Sequence, residues 1–134
     1  METIRLLQQA IDYVEQNLHD AIGVEDIAGA AMTSKYHFQR MFHALTGFTV
    51  TEYVRNRRLT LAAEELAGTD GKVIDIALKY GYETPESFAK AFQRVHGVTP
   101  PIWRRKKERE AQIVLPHLLS NSDQRGKRNE LQDG

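Results

Sequence analysis

A pattern of residues recurs in this chain of 134 residues with a period of about fifty. The triplet Asp-Ile-Ala at 26–28 returns at 75–77, an offset of 49 residues. The pattern Phe-x3-Phe-x4-Gly-x-Thr at 38–49 returns at 88–99, an offset of 50 residues. Because the offset increases by one between the two patterns, the second copy is expected to have an extra residue in the turn between them. A duplication of this length restricts the chain to two similar supersecondary units.

Each copy is predicted to be helical, because apolar residues recur at spacings of three and four and no window alternates with period two. Hydroxyl residues precede the segments and glycines follow them, as is typical of helix ends. The predicted end residues are Ser34, Thr49, Thr84 and Pro85 at helix starts, and Gly47 and Gly97 at helix ends. The predicted apolar faces include Ile4, Leu7, Ile11, Val14 and Leu18, then Phe38, Met41, Phe42 and Leu45, and then Phe88, Ala91, Phe92 and Val95. The fold class predicted is all-α, with about seven helices.

A short helix, a tight turn and a longer helix form a helix-turn-helix. The sequence predicts two of them, at about 24–46 and 73–96, joined by a central linker helix at about 50–67. At 1.5 Å per residue this linker is roughly 27 Å long, close to the roughly 34 Å of one DNA turn. One chain would then present two recognition helices, as a helix-turn-helix dimer does. The alternative is a duplicated helical bundle with no role on DNA.

These units predict a DNA-binding domain over 1–107 and a partly disordered C-terminal tail over 108–134, where the sequence becomes polar. The tail contains one small apolar cluster, consisting of Ile113, Val114, Leu115, Leu118 and Leu119. This cluster either docks on the core or is the remnant of a missing domain, and the sequence leaves both interpretations open.

The formal net charge is zero, yet the charges are segregated along the chain. Residues 34–58 hold five basic residues and one acidic residue, and residues 90–109 hold seven and one. Both blocks follow the start of a predicted recognition helix, at equivalent places in the repeat. Binding to DNA needs Lys and Arg near the phosphates rather than a basic protein as a whole. Charged runs are often only solvated helix faces, but their pairing in the repeat favours two contacts with a polyanion.

One face of the first recognition helix carries side chains suited to reading bases. Arginine pairs with guanine and glutamine with adenine in the major groove, and an aromatic ring packs on a thymine methyl group. The backbone N–H groups at the start of the helix are suited to hold a phosphate. The residues predicted to contact DNA in this unit are Ser34, Lys35, Tyr36, Gln39, Arg40 and His43.

The second recognition helix is poorer in such groups. Glu86 is suited to accept a hydrogen bond from cytosine, and Lys90 is suited to reach guanine or a phosphate. We therefore expect this unit to contribute more to positioning than to sequence readout. The residues predicted to contact DNA here are Thr84, Pro85, Glu86, Ala89, Lys90 and Arg94, and the predicted phosphate contacts are Arg55, Arg58, Arg104 and Arg105.

Other classes of function find little support. The chain has no cysteine, and its five histidines lack metal-ligand spacing, so neither a metal site nor a cofactor is expected. No glycine-rich phosphate loop or nucleophile elbow occurs, which disfavours an enzyme. The N-terminus resembles neither a signal peptide nor a membrane span, which predicts a cytoplasmic protein without a membrane partner. The alternative that stays open is a protein-interaction module that keeps the fold but has weak or no specific DNA binding.

Four segments resemble the AraC/XylS family of bacterial transcription regulators. They are SKYHFQRMFHALTG at 34–47, RNRRLTLAAEEL at 55–66, IALKYGY at 76–82 and ESFAKAFQRVHGVTPPIWRR at 86–105. The first recognition helix is similar to that of the small single-domain branch, the multiple-antibiotic-resistance and superoxide-response activators. In that branch, positions matching Tyr36, Gln39 and Arg40 lie in the major groove, as do those matching Glu86, Ala89 and Lys90.

The resemblance implies a monomer that binds an asymmetric two-box site on double-stranded promoter DNA and recruits RNA polymerase as an activator. The chain departs from the branch at Pro85 and Glu86, where glutamines are usual, so the branch's preference for the second box is not carried over. Met32 stands where such turns often have glycine, and it would be costly there if the turn requires a positive φ. No small-molecule effector domain is expected within this chain.

Overall fold

The computed structural model describes residues 2–113, and every regular element in that range is an α-helix. The helices are α1 (Glu2–Gln16), α2 (Val24–Ala30), α3 (Lys35–Thr46), α4 (Val50–Gly68), α5 (Val73–Lys79) and α6 (Pro85–His96). A seventh, α7, covers residues 100–113. The predicted all-α fold with about seven helices is confirmed. No helix within the described range is long and apolar enough to cross a membrane.

The helix ends follow local chemistry that the sequence displays. The hydroxyls of Ser34, Thr49 and Thr84 accept hydrogen bonds from the backbone N–H of the third residue of α3, α4 and α6. Glu52 completes a capping box with Thr49. Gly47 ends α3 with a left-handed φ of 80°, a conformation that glycine adopts without steric cost.

The two copies form two separate cores. The first is built from α1, α2, α3 and the start of α4, and the second from the end of α4 with α5 and α6. Each core is centred on two phenylalanines one helical turn apart, Phe38 with Phe42 at 5.7 Å and Phe88 with Phe92 at 5.6 Å between ring centroids.

A third aromatic ring closes each core at equivalent positions of the repeat. The ring of Tyr53 meets Phe42 edge-on at 5.6 Å, and Trp103 meets Phe92 in the same way at 5.9 Å. Buried aromatic rings favour such edge-to-face contacts. The structure therefore confirms the repeat derived from the sequence.

Helix α4 carries both units because its buried side chains change face along its length. Val50 and Val54 enter the first core, whereas four residues nearer its C-terminus enter the second: Leu59, Ala62, Ala63 and Leu66. At 100° per residue, the two sets lie about 150° apart around the helix axis. The two helix-turn-helix units are therefore attached to nearly opposite sides of one rod.

The turns inside the two units share one backbone design. The N–H of Thr33 donates to the carbonyl of Ala28 at 3.1 Å, and that of Tyr82 donates to Ala77 at 2.9 Å. The residue before each donor has a positive φ, 55° at Met32 and 91° at Gly81. Met32 therefore occupies the strained position anticipated from the sequence.

The extra residue of the second copy also lies in this turn, as predicted. In the first unit, Thr33 alone lies between Met32 and the helix cap Ser34. In the second unit, Tyr82 and Glu83 lie between Gly81 and the cap Thr84. Tyr82 therefore belongs to the longer of the two turns.

Some sequence predictions need correction. Leu45 and Val95 were expected on buried faces but are 49% and 41% exposed, and Ile4 is 66% exposed. Each lies near a helix end, beyond the edge of its core cluster. Helix α7 continues through residue 113, so the first residues of the predicted tail, 108–113, are helical. The rest of the predicted tail, including most of its apolar cluster, lies outside the described residues.

Candidate nucleic-acid interface

The exposed face of α3 presents the polar groups that the sequence singled out. Tyr36, Gln39, Arg40 and His43 are all exposed, while Phe38 and Phe42 anchor the opposite face in the core. The guanidinium carbon of Arg40 lies 5.5 Å from the centre of the Tyr36 ring, a cation–π contact that restricts both side chains. His37 lines the same shallow groove as Tyr36 and Arg40, and the sequence reasoning missed it.

The start of α3 is arranged to accept an anion. Ser34 caps the helix through the N–H of His37, and the first N–H groups of a helix have no acceptor within it. Lys35 is exposed, and its only ion pair among the described residues is a 3.9 Å contact with Glu25. Positive potential from the helix terminus and from Lys35 therefore act at the same place.

Helix α6 is constructed in the same way but offers a different set of groups. Thr84 caps it, Pro85 and Glu86 are exposed in its first turn, and Ala89 is half-buried. Lys90 and Arg94 follow on the exposed surface, and neither forms an ion pair within residues 2–113. The two basic side chains give this face a positive end, while Glu86 places a negative charge at the helix start.

Two of the four arginines predicted at phosphates also donate hydrogen bonds to backbone carbonyls of the protein. Arg58 donates to the carbonyls of Leu18 and Asp20, at 3.0 and 2.6 Å. Arg104 donates to the carbonyls of Leu66, Thr69 and Gly71, at 2.9, 3.3 and 2.6 Å.

Arg58 and Arg104 have equivalent structural roles in the two units. Arg58 holds the loop before the first helix-turn-helix, and Arg104 holds the loop before the second. Both come from the helix that follows the recognition helix of their unit, α4 and α7. Arg55 and Arg105, by contrast, are exposed, and neither hydrogen-bonds with another described side chain. The phosphate assignments of all four stay predictions.

Three further polar aromatic residues belong to the framework or its edge. His96 bonds to the carbonyl of Leu59 at 3.1 Å, and the Trp103 indole donates to that of Ala63 at 3.0 Å. Tyr82 lies at the junction of the two units, with its ring 5.4 Å from that of Phe88. The sequence reasoning did not single out Tyr82, because a tyrosine in a turn carries no distinctive spacing.

Comparison with known proteins decides what this architecture is. A family model described as a helix-turn-helix domain matches residues 27–106. A solved structure of an AraC-type DNA-binding regulator from Chromobacterium violaceum superposes with a TM-score of 0.74 at 23% identity, covering 77% of this chain and 92% of that one. The chain belongs to the AraC/XylS family of transcription regulators. The family predicted from the sequence is thereby confirmed, and its members are DNA-binding regulators rather than enzymes.

Other AraC/XylS relatives extend the comparison. The activator AarP of Providencia stuartii is 38% identical over 74% of this chain and 73% of its own length. The regulatory protein SoxS of Salmonella typhimurium is 33% identical over 76% of this chain and 95% of its own. The regulator YbfP of Bacillus subtilis is 39% identical over 75% of this chain, which spans only 34% of YbfP.

One solved relative was determined on DNA. The DNA-binding domain of AdpA, in complex with a target DNA, is 27% identical and superposes with a TM-score of 0.69. The alignment covers 78% of this chain and 94% of that domain. The likeness is therefore to a complete DNA-binding domain.

Proposed function

We propose that this AraC/XylS chain is a cytoplasmic transcription activator that reads a two-box promoter site as a monomer, with α3 and α6 in successive major grooves. One observation carries the proposal: two helix-turn-helix units with capped, outward-facing recognition helices are attached to a single continuous helix. Helix-turn-helix proteins ordinarily need a dimer to present two such helices.

The dimensions of α4 support two-box binding. Its 19 residues correspond to about 28 Å at 1.5 Å per residue. Successive major grooves on one face of B-DNA are roughly 34 Å apart. The difference is small enough to be made up by the width of the units or by modest bending of the DNA, which costs a few kcal/mol.

The two units have different roles in this proposal. Gln39 and Arg40 read base edges in the first box, with Tyr36 and His43 beside them and Ser34 and Lys35 at a phosphate. In the second box, Glu86, Ala89 and Lys90 face the bases and Arg94 a phosphate. Arg55 and Arg105 hold the DNA backbone, whereas Arg58 and Arg104 act through the loops that they fix.

Activation requires a second contact, which we assign to RNA polymerase. AarP is an activator by name, and its length is similar to that of this chain. Residues 1–33 hold six acidic residues and one basic residue, and Glu2 and Asp12 of α1 form no ion pair among the described residues. Helix α1 would then offer a protein partner a surface distinct from the recognition helices.

Selection from random duplexes at near-physiological salt tests the proposal. We expect two short enriched boxes about one helical turn apart, and loss of the first box in the Gln39→Ala/Arg40→Ala variant. The matched control is Arg5→Ala/Gln9→Ala on α1, which should select the same site. A single enriched box would restrict readout to one unit. No enrichment would favour the alternative of a protein-interaction module, to which Glu86 at the start of α6 lends some support.

A further inference from the structure

A cleft separates the two helix-turn-helix units. It has a volume of about 320 Å³, and one wall is apolar and comes from the first unit. The other wall is the turn between α5 and α6, which includes Gly81 and Tyr82. Arg55 and Arg58 project from α4 into the same cleft. The junction between the units is thus an open groove lined by cations on one side.

The cations in this groove have no acidic partner within residues 2–113. No ion pair involves Arg55 or Arg58 there, although other basic side chains of the same region are paired, such as Arg57 with Glu15. Arg58 uses Nε and one terminal nitrogen on carbonyls, which leaves its Nη1 free. That Nη1 lies 4.0 Å from where a Cβ on Gly81 would stand, so it is close to the turn.

Tyr82 is the neutral donor of this group. The hydroxyls of Tyr53 and Tyr80 donate to Glu15 and Glu65, but no described residue hydrogen-bonds to that of Tyr82. Burial raises the pKa of Tyr82, while the positive charges of Arg55, Arg58 and Arg94 act to lower it. The guanidinium groups of Arg55 and Arg58 therefore line one cleft with this phenol, without an acidic partner among the described residues.

We propose that Tyr82 and Arg55, supported by Arg58, form a cradle for one phosphodiester of the DNA segment between the two boxes. A hydroxyl and several guanidinium groups are the donors that phosphate oxygens accept best. The apolar wall of the cleft suits the carbons of the adjoining deoxyribose. The cradle fixes where the DNA crosses the junction and thereby sets the register of both recognition helices. The inference rests on the two-box function proposed above.

Duplexes with a single neutral methylphosphonate test the cradle. The chain, its Tyr82→Phe variant and its Arg55→Gln variant are titrated with unmodified two-box DNA, and with DNA modified either between the boxes or in a flank. Tyr82→Phe keeps the ring against Phe88 and removes only the hydroxyl. Arg5→Gln on α1 is the matched control for a lost positive charge.

We expect the central methylphosphonate to weaken binding of the unchanged chain about ten- to a hundredfold, the loss typical of a hydrogen bond to a charged group. The same modification should weaken the binding of Tyr82→Phe and Arg55→Gln much less, whereas Arg5→Gln should lose as much affinity as the unchanged chain. A flank modification should show no such coupling to either variant.

Three results would overturn the cradle. If every modified phosphate weakened the binding of all variants equally, the arginines would contribute only general positive charge and no specific contact. Competition by millimolar inorganic phosphate that depends on Tyr82, without coupling to the central phosphate of DNA, would assign the site to a free anion. If the unchanged chain does not bind the unmodified two-box duplex more tightly than a duplex of random sequence, the proposed function is overturned as well. That result is seen before any variant is compared.

Discussion

Met32 has a backbone conformation that destabilises the fold, whereas the equivalent residue of the second unit adopts a similar conformation without strain. Its φ of 55° lies in the left-handed region, where a side chain costs roughly 1–2 kcal/mol. Gly81 occupies the equivalent position with φ 91° and has no such cost. Met32 is 86% exposed, so packing does not compensate for the strain. The first helix-turn-helix is therefore the one whose turn stores strain.

Met32→Gly should raise the free energy of unfolding by about 0.5–1 kcal/mol. The relief of strain exceeds the added flexibility of glycine in the unfolded chain, which offsets part of it. Urea denaturation at neutral pH measures the change. Gly81→Ala should do the opposite by at least about 1 kcal/mol, and a loss of stability in Met32→Gly would show that the side chain makes a contact that its exposure hides.

Residues at helix ends could be predicted from sequence because their chemistry is local. Ser34, Thr49 and Gly47 act on groups within a few residues, and each is found in its predicted role. The role of Arg58 could not be predicted, because its acceptors lie 38 and 40 residues away. Tyr82 became a candidate only when folding placed it in one cleft with Arg55 and Arg58 of α4.

The helices are tied together by a few carboxylates, and these make stability depend on pH. Glu15 on α1 accepts hydrogen bonds from Arg57 at 2.6 and 3.1 Å and from Tyr53 at 3.1 Å. The bond from Arg57 lowers the pKa of Glu15 despite partial burial. Burial alone would raise the pKa of Glu65, but hydrogen bonds from Lys79 and Tyr80 lower it.

A folded-state pKa below the ordinary value of 4.5 means that each carboxylate stabilises the fold above that pH. The contribution is lost as the pH falls from 4.5 through the lowered pKa. The free energy of unfolding of Glu15→Gln/Glu65→Gln should therefore be about 1–2 kcal/mol below that of the parent at pH 7, a value discounted for partial exposure. On acidification it should fall less than that of the parent. Urea midpoints at pH 7 and about pH 3.5 test this. Glu2→Gln should match the parent at both, and a parallel acid loss in the double variant would refute the assignment.

Helix α7 contains two adjacent arginines with separable roles. Arg104 fixes the loop between α4 and α5 through three carbonyls, whereas Arg105 is exposed. Arg104→Ala should lower the free energy of unfolding by about 1.5–3 kcal/mol, the usual worth of hydrogen bonds to a charged group. Arg105→Ala should change it by less than about 0.5 kcal/mol.

The same pair should separate on DNA. Arg105→Ala should reduce the slope of log affinity against log salt by about one, as loss of one phosphate contact does. Thermal melts and salt titrations of both variants provide the test. A stable Arg104→Ala protein with a reduced salt slope would instead place Arg104 at a phosphate.

The apolar pattern of α4 also shows what sequence could not resolve. Its apolar residues lie in one continuous stretch of sequence, but Val54 belongs to the first core and Leu59, on nearly the opposite face, to the second. A helix shared by two cores carries two superimposed apolar stripes, so its overall periodicity is weak. The existence and bounds of the helix could be predicted, while the division of its faces depended on the packing of both units.

At the scale of the whole molecule, α4 should fix the distance between the two boxes. The helix is continuous through 19 residues, and both units bury large side chains directly against it. Arg58 further ties its middle to the loop before α2, and the ring of His19 in that loop lies 5.3 Å from Tyr80 of the second unit. The units therefore have little freedom to follow a change in the DNA.

Inserting five base pairs between the boxes should reduce affinity to that for a duplex with one box. Five base pairs rotate the second box by half a turn, to the opposite face of the DNA. A chain with a flexible linker would lose little affinity for the inserted duplex, since its second unit could reach the opposite face of the DNA. Titration of the parent, inserted and one-box duplexes distinguishes the two cases, with the same insertion outside the boxes as control. Equal affinity for the parent and inserted duplexes would mean that the units bind independently and that α4 does not act as a ruler.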